Sequence, residues 1–266
     1  MSAADTLQLA FVPDCPRVRL KELTGADEQM IDACDTLAAI RLLDRLISEV
    51  SGPVPLPGKA ASLPSADRDR LLCAIYRNTY GSRISGTVAC ASCGKAFDLD
   101  FDLIKLQAAL QPAGVAYPKF ANDQMAFVMA DGRSFRLPTG EDELAVWHLP
   151  ADKALAELLQ RCVLEGDPHL APQSVQAVME AVAPLLDVEL TGHCPECGHY
   201  QAIHFDIQSF LLSALQAEKP RLMREVHRLA TAYGWPLGEI LNLSRSQRRA
   251  YVKLIEDEAN RYPDKG

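Results

Sequence analysis

The chain has 266 residues, 48% apolar and 23% charged, with a formal net charge of −8. This length supports a sizeable core in one or two domains, and the composition excludes a disordered polymer. No apolar run approaches the roughly 20 residues a helix needs to cross a bilayer, so a membrane-spanning helix is excluded as well.

The first residues, Met1 to Gln8, carry no basic region followed by an apolar stretch, so no secretory signal is expected. Residues 1–22 read as an extended N-terminal arm. Leu7, Leu9 and Phe11 alternate before Pro13 and Pro16 break the run, a pattern suited to adding a strand to a partner's sheet. A helical segment follows over 23–83. Thr24 is its cap, with Asp27 and Glu28 in the first turn. Leu37, Ile40, Leu43, Leu46, Ile47 and Val50 fall at helical spacing to about Val50. Ser51–Gly58 is rich in proline and reads as a loop. A second helix begins near Ser65, carries Leu71, Leu72, Ile75 and Tyr76, and ends near Tyr80-Gly81.

Residues 84–103 form the first half of a zinc-ribbon-like unit, and 188–207 its second half. The mixed insertion between them, 104–187, continues a short helix from Leu103 to Leu110. It then carries a hairpin over 125–137, turning at Asp131-Gly132. Helical stretches open at Glu141, run from Ala154 to Leu164, and run from Gln173 to Leu186 with a break at Pro184. The C-terminal helical segment, 208–262, contains Gln208–Ala217, Arg221–Tyr233 and Pro236–Leu241. A last helix is capped by Ser244 with Gln247 three residues on. Apart from the two cysteine turns, no internal repeat is visible. The expected fold class is α+β, mainly helical at both ends, with a small central antiparallel sheet built from the two ribbon-like hairpins.

Two short motifs carry the chemistry. Cys90-Ala-Ser-Cys93-Gly94 and Cys194-Pro-Glu-Cys197-Gly198 are both Cys-x-x-Cys-Gly, flanked by alternating, strand-like sequence. Each turn supplies two thiolates, and the glycine allows a left-handed backbone that points amides at them. Two such turns complete a tetrahedral four-sulfur site, so one structural Zn2+ per chain, held by Cys90, Cys93, Cys194 and Cys197, is the expected cofactor. His193, His199 and His204 flank the second turn and are candidate replacements for a cysteine. Redox chemistry is disfavoured because strand-like rather than helical sequence follows each motif. Cys15, Cys34, Cys73 and Cys162 read as buried thiols in a reducing cytoplasm.

No phosphate-binding loop, nucleophile elbow or metalloprotease motif occurs in the sequence, and a four-thiolate zinc has no open position for water. The expectation is therefore a protein without catalytic residues. Asp98, Asp100 and Asp102 share one strand face and read as a solvated edge. Between Lys219 and Lys253, eight basic residues stand against two acidic ones. From this segment Arg221, Arg224, Arg228, Trp235, Arg245, Arg248 and Arg249 are the candidate partner-binding residues. Trp235 at its helix break also suits a packing anchor, and Trp147 fits core and interface equally.

Several segments, in this order, resemble the T-even-type baseplate proteins that act in assembly of the tail hub, with relatives in contractile-tailed phages and phage-tail-like injection systems. They are Leu23-Thr-Gly-Ala-Asp-Glu28, Asp69-Arg-Leu-Leu through Tyr80-Gly81, Phe97-Asp-Leu-Asp100, and Phe135-Arg-Leu-Pro-Thr-Gly140. Cys194 to Gly198 with Phe205-Asp206 follows, then Glu225-Val-His-Arg-Leu-Ala230, Tyr233-Gly-Trp235 and Arg248-Arg249-Ala-Tyr251. The resemblance implies a non-enzymatic assembly chaperone or minor baseplate component, cytoplasmic and open to incorporation into a virion or tail-like particle. Its partners would be hub or wedge proteins rather than nucleic acid, a membrane or a small-molecule substrate. The zinc rests on the cysteine spacing alone. The alternative reading is a zinc-ribbon nucleic-acid-binding protein.

Overall fold

The computed structural model describes residues 6–13, 15–51, 59–110, 120–121 and 126–261. Residues 1–5 of the arm, most of the expected loop at 51–58, Met125 at the start of the expected hairpin and Tyr262 lie outside the described residues.

Strand β1 (Thr6–Gln8) pairs antiparallel with β2 (Arg17–Leu20), which pairs with β3 (Ile47–Ser51). The arm is therefore the edge strand of a sheet within its own chain. Leu9 is fully buried, and the Asp67 carboxylate accepts from the Ala10 and Phe11 amides, each at 2.8 Å. Helix α1 (Gly25–Gln29) is short, and α2 (Thr36–Leu46) is separate from it. The single helix expected from 24 to 50 is thus divided. Asp35 accepts from the Ala38 amide at 2.8 Å and opens a new helix. At its far end Ile47 leaves the helix in extended conformation, and the chain returns to β2.

Helix α3 (Ser65–Tyr80) leads into β4 (Arg83–Ala89) and β5 (Ala96–Asp102), then α4 (Leu103–Leu110). The next sheet contains β6 (Phe120–Ala121), β7 (Ala126–Val128) and β8 (Ser134–Arg136). Helices α5 (Gly140–Val146) and α6 (Ala151–Cys162) follow, and β9 (Val163–Glu165) closes that sheet. Then come α7 (Pro172–Val182), β10 (Asp187–His193), β11 (Tyr200–Asp206) and α8 (Ile207–Ala217). Three C-terminal helices complete the chain: α9 (Lys219–Tyr233), α10 (Leu237–Asn242) and α11 (Arg245–Arg261).

The class is α+β. Among the described residues the strands form four separate antiparallel sheets, not one central sheet. β4–β5 and β10–β11 are each two-stranded ladders and share no backbone pairing, so the hairpins meet through side chains. The main core lies where α2, α3 and α8 bring together Leu42, Leu43, Leu46, Leu71, Leu72, Leu211 and Leu212, all fully buried. A second core centres on Phe127 and Phe135, stacked with centroids 5.4 Å apart. The C-terminal helices keep their own core of Leu222, Val226, Leu229 and Ile240.

The element order β-β-α-α-β-α-β-β-α occurs twice, over β1 to α4 and over β7 to α8. In both copies the second strand pairs with the first and the third, with a register shift in the second pairing. In both, the second helix runs straight into the third strand. Thr24 and Thr139 each cap a first helix through a reciprocal capping box, with Asp27 and Asp142 at the third position. Asp102 and Asp206 each cap the helix after a cysteine hairpin. The chain is a tandem structural duplication, which corrects the expectation that only the cysteine turns repeat.

Candidate metal centre

Each cysteine turn is built the same way. The Cys90 amide donates to the Lys95 carbonyl at 2.9 Å, and the Gly94 amide to the Cys90 carbonyl at 2.9 Å. At the second turn the Cys194 amide donates to His199 at 2.9 Å and the Gly198 amide to Cys194 at 3.0 Å. Gly94 and Gly198 have φ of 73° and 74°, a left-handed backbone that a side chain would strain.

The hairpins bring the two turns face to face. Cys90 Sγ lies 3.6 Å from Cys197 Sγ, and Cys93 Sγ lies 3.8 Å from Cys194 Sγ. All four sulfurs fall within 4.8 Å of one another. A tetrahedron with metal–sulfur arms of about 2.3 Å has edges of about 3.8 Å, so the four sulfurs have the spacing of a four-thiolate metal site. Cys90 and Cys194 are buried, while Cys93 and Cys197 face outward. Phe97, Ile203, Val88 and Leu99 pack beneath them. The Gln201 side chain stitches the hairpins together, accepting from the Ala91 amide at 2.7 Å and donating to the Ala89 carbonyl at 3.0 Å. Lys95 adds an exposed ion pair to Glu196 at 2.7 Å.

The thiols are electrostatically unequal. Backbone amides of Cys93 and Ser92 hold Cys90 down at about 6 despite desolvation. At Cys197 the His199 amide favours the thiolate, but desolvation and the three neighbouring thiols outweigh it and push the group up to about 12. Four sulfurs at this spacing are the donor set that a soft divalent metal ion takes.

Among the described residues no histidine joins the four-cysteine group. His193 packs on Tyr200 with ring centroids 4.7 Å apart, and His204 lies between Asp187 and Glu189 at 3.4 and 3.5 Å. Cys73 and Cys162 are buried, and burial raises each to about 12. Cys15 and Cys34 are half-buried, not buried as expected. On β5, Asp98 and Asp100 face Thr87 and Arg83 across the hairpin, and Asp102 is used as a helix cap.

The predicted partner face is only partly a surface. Arg248 is 0% exposed and Arg245 is buried, in a cluster with Glu28, Glu218 and Glu225. This corrects their assignment to a partner face: both side chains are buried in ion pairs within the chain. Arg249 is half-buried and pairs with Glu218. Arg221 and Arg228 are exposed and paired with Glu225 and Glu256, and Arg224 is exposed. Trp235 packs between Tyr233 and Tyr251, at 4.9 and 5.1 Å, whereas Trp147 is 78% exposed. The acidic half of the cluster is hidden from a local view of the sequence because Glu28 and Arg248 are 220 residues apart. The available signal was the repeated Thr-Gly-x-Asp-Glu at 24–28 and 139–143.

None of the described helices is long and apolar enough to cross a membrane. No curated protein and no solved structure matches the chain. A family model described as T4 bacteriophage base plate protein matches residues 12–167. That span is more than half the chain and takes in the first cysteine turn and both Thr-Gly-x-Asp-Glu segments; the second cysteine turn and the C-terminal helices lie beyond it. The chain belongs to the T4 bacteriophage base plate protein family.

Proposed function

We propose that this protein is a non-enzymatic assembly protein, a chaperone or a minor component, of the baseplate of a contractile tail or tail-like particle. In this reading one zinc ion held by Cys90, Cys93, Cys194 and Cys197 fixes the two halves of the chain against each other. The observation that carries the baseplate role is the family match over residues 12–167. The sulfur spacing supports zinc, and four protein thiolates leave the ion no position for substrate or water, so its role is structural. Partners are hub or wedge proteins of the same baseplate, met in the cytoplasm during assembly and, for a component, in the finished particle. A nucleic-acid role is disfavoured because Arg245 and Arg248 are withdrawn into buried ion pairs.

The test is deletion of the gene in its host with electron microscopy of the particles, alongside affinity capture of the tagged chain. Tails lacking complete baseplates, and capture of hub or wedge proteins without nucleic acid, are the expected results. Complete, functional tails in the deletion strain would reject the role.

A further inference from the structure

Each half presents the same receiving site for a helix start. In the second half, the Gly140 amide donates to the Leu63 carbonyl at 3.3 Å, and the Ser65 amide donates to the Pro138 carbonyl at 2.9 Å. In the first half, the Gly25 amide donates to the Leu243 carbonyl at 3.3 Å, and the Arg245 amide donates to the Leu23 carbonyl at 2.8 Å. The isolated bridges Pro64↔Thr139 and Thr24↔Ser244 mark the same junction. Four residues beyond each bridged position a carboxylate meets a guanidinium: Glu143 with Arg68 at 2.7 Å and Glu28 with Arg248 at 2.8 Å.

The sockets match in chemistry as well. Burial works against ionisation of Asp27, but Thr24 and Arg45 outweigh it and keep the group below its ordinary value. Asp142 follows the same balance, with Arg136 and Thr139 prevailing over burial. The glycines allow the incoming chain to come close. A Cβ on Gly140 would lie 3.1 Å from the carbonyl oxygen of Ala61, just ahead of the entering helix, and one on Gly25 would lie 3.1 Å from Arg248 Nη1. Thr-Gly-x-Asp-Glu is thus a socket for a helix N-terminus that carries arginine four residues beyond its bridged residue.

The chain holds two sockets and two matching plugs among the described residues. The plug Pro64–Arg68 of the first half fills the socket of the second, and the C-terminal plug Ser244–Arg248 returns to fill the socket of the first. Head-to-tail contacts of this kind either close a ring or run on into the next molecule. Here the ring closes through α9–α11, which have their own apolar core and are held to α1 by a largely ionic cluster. That cluster is imperfect, since Glu28 Oε1, Arg245 Nη1 and Arg249 Nε have no hydrogen-bond partner. The connection from α8 to α9 is the single residue Glu218. When the ring opens, the molecule exposes one socket and one plug, and the two are complementary to each other.

We propose that residues 219–261 form an exchangeable closing unit, seated on the Thr24–Glu28 socket of its own chain or on that of a second copy, so that copies interlock. The test uses two full-length variants, Glu28→Arg and Arg248→Glu. Each alone sets like charges against each other at the closing contact and releases residues 219–261, read as trypsin cleavage after Arg221 faster by on the order of a hundredfold. Mixed, they restore opposite charge at both junctions only by exchanging C-terminal units. The expected product is a 1:1 complex of twice the 29.1 kDa chain mass with its protease resistance recovered. A mixture that stays monomeric and protease-sensitive overturns the proposal, as does dimerisation of either variant alone to the same extent. Should either variant fail to fold, isotopically heavy and light wild-type chains are co-incubated at high concentration and crosslinked. Heavy-to-light crosslinks between residues 17–28 and 244–253 are expected; heavy-to-heavy and light-to-light crosslinks alone overturn it.

Discussion

At the cysteine hairpins each half gives the other the same atoms, whereas at the helix clasps one half gives a socket and the other a plug. Cys90 meets Cys197 and Cys93 meets Cys194, an exchange that reads the same from either side. The clasps have direction: Arg68 of the first half enters the second, and Arg248 of the C-terminal unit enters the first. The difference shows where each kind of strength resides. The thiol cluster has little apolar cover, and in the proposed reading a bound cation holds it together. The Arg68–Glu143 clasp sits beside the main core, where packing and hydrogen bonds from Ser65 and Thr36 support the carboxylate. The Arg248 clasp joins two bodies that keep separate apolar cores, so it is the joint able to open.

The largest expected effect comes from breaking the thiol cluster. Cys194→Ser removes a buried thiol of the proposed site, and a structural zinc site contributes on the order of 10 kcal/mol to folding. Metal content by elemental analysis should fall well below that of the wild type, with aggregation on expression. Equal metal in mutant and wild type would rule out the shared site.

Next come the clasps, where removing one partner of a buried ion pair costs about 3–5 kcal/mol. Arg68→Met should lower the stability of the whole chain by that amount in urea unfolding. Arg248→Met should act locally, and hydrogen exchange should rise over 219–261 while the main core stays protected. Uniform exchange across both regions in Arg248→Met would erase the distinction between the clasps.

A smaller effect concerns Asp69, which accepts from the Leu186 amide at 3.0 Å and so links α3 to the second half. Burial raises its carboxyl to about 7. Its folded value exceeds the unfolded value near 4, so between these pH values the folded state holds the extra proton. Stability from this group therefore declines as pH rises from about 4 to about 7, by at most about 1.4 kcal/mol per pH unit, and is flat above. Asp69→Asn should remove that slope in unfolding curves taken across the range; an unchanged slope would assign it to another group.

The smallest effects belong to the caps. Thr24→Ala and Thr139→Ala should each cost about 1 kcal/mol, with Thr139→Ala lowering the global midpoint and Thr24→Ala loosening the C-terminal unit.

Much of this organisation is legible in the sequence where the signal is local. The Cys-x-x-Cys-Gly turns, the Asp131-Gly132 hairpin and the Thr24 and Ser244 helix starts lie within a few residues of their partners. What escapes is non-local. Ile47 and Val50 continue a helical spacing yet form β3, because β2 waits for them some 30 residues upstream. Arg245 and Arg248 look like a solvated face until Glu28 arrives from the other end of the chain. The duplication escapes because Thr-Gly-x-Asp-Glu is short and the helices around it share spacing rather than identity.

The most direct test of the account is native mass spectrometry of the purified full-length chain, paired with alkylation of its cysteines. The expected result is one zinc ion per chain, with Cys90, Cys93, Cys194 and Cys197 unreactive until a chelator removes the metal. A metal-free chain with all four thiols freely alkylated, or with disulfides joining them, would contradict it.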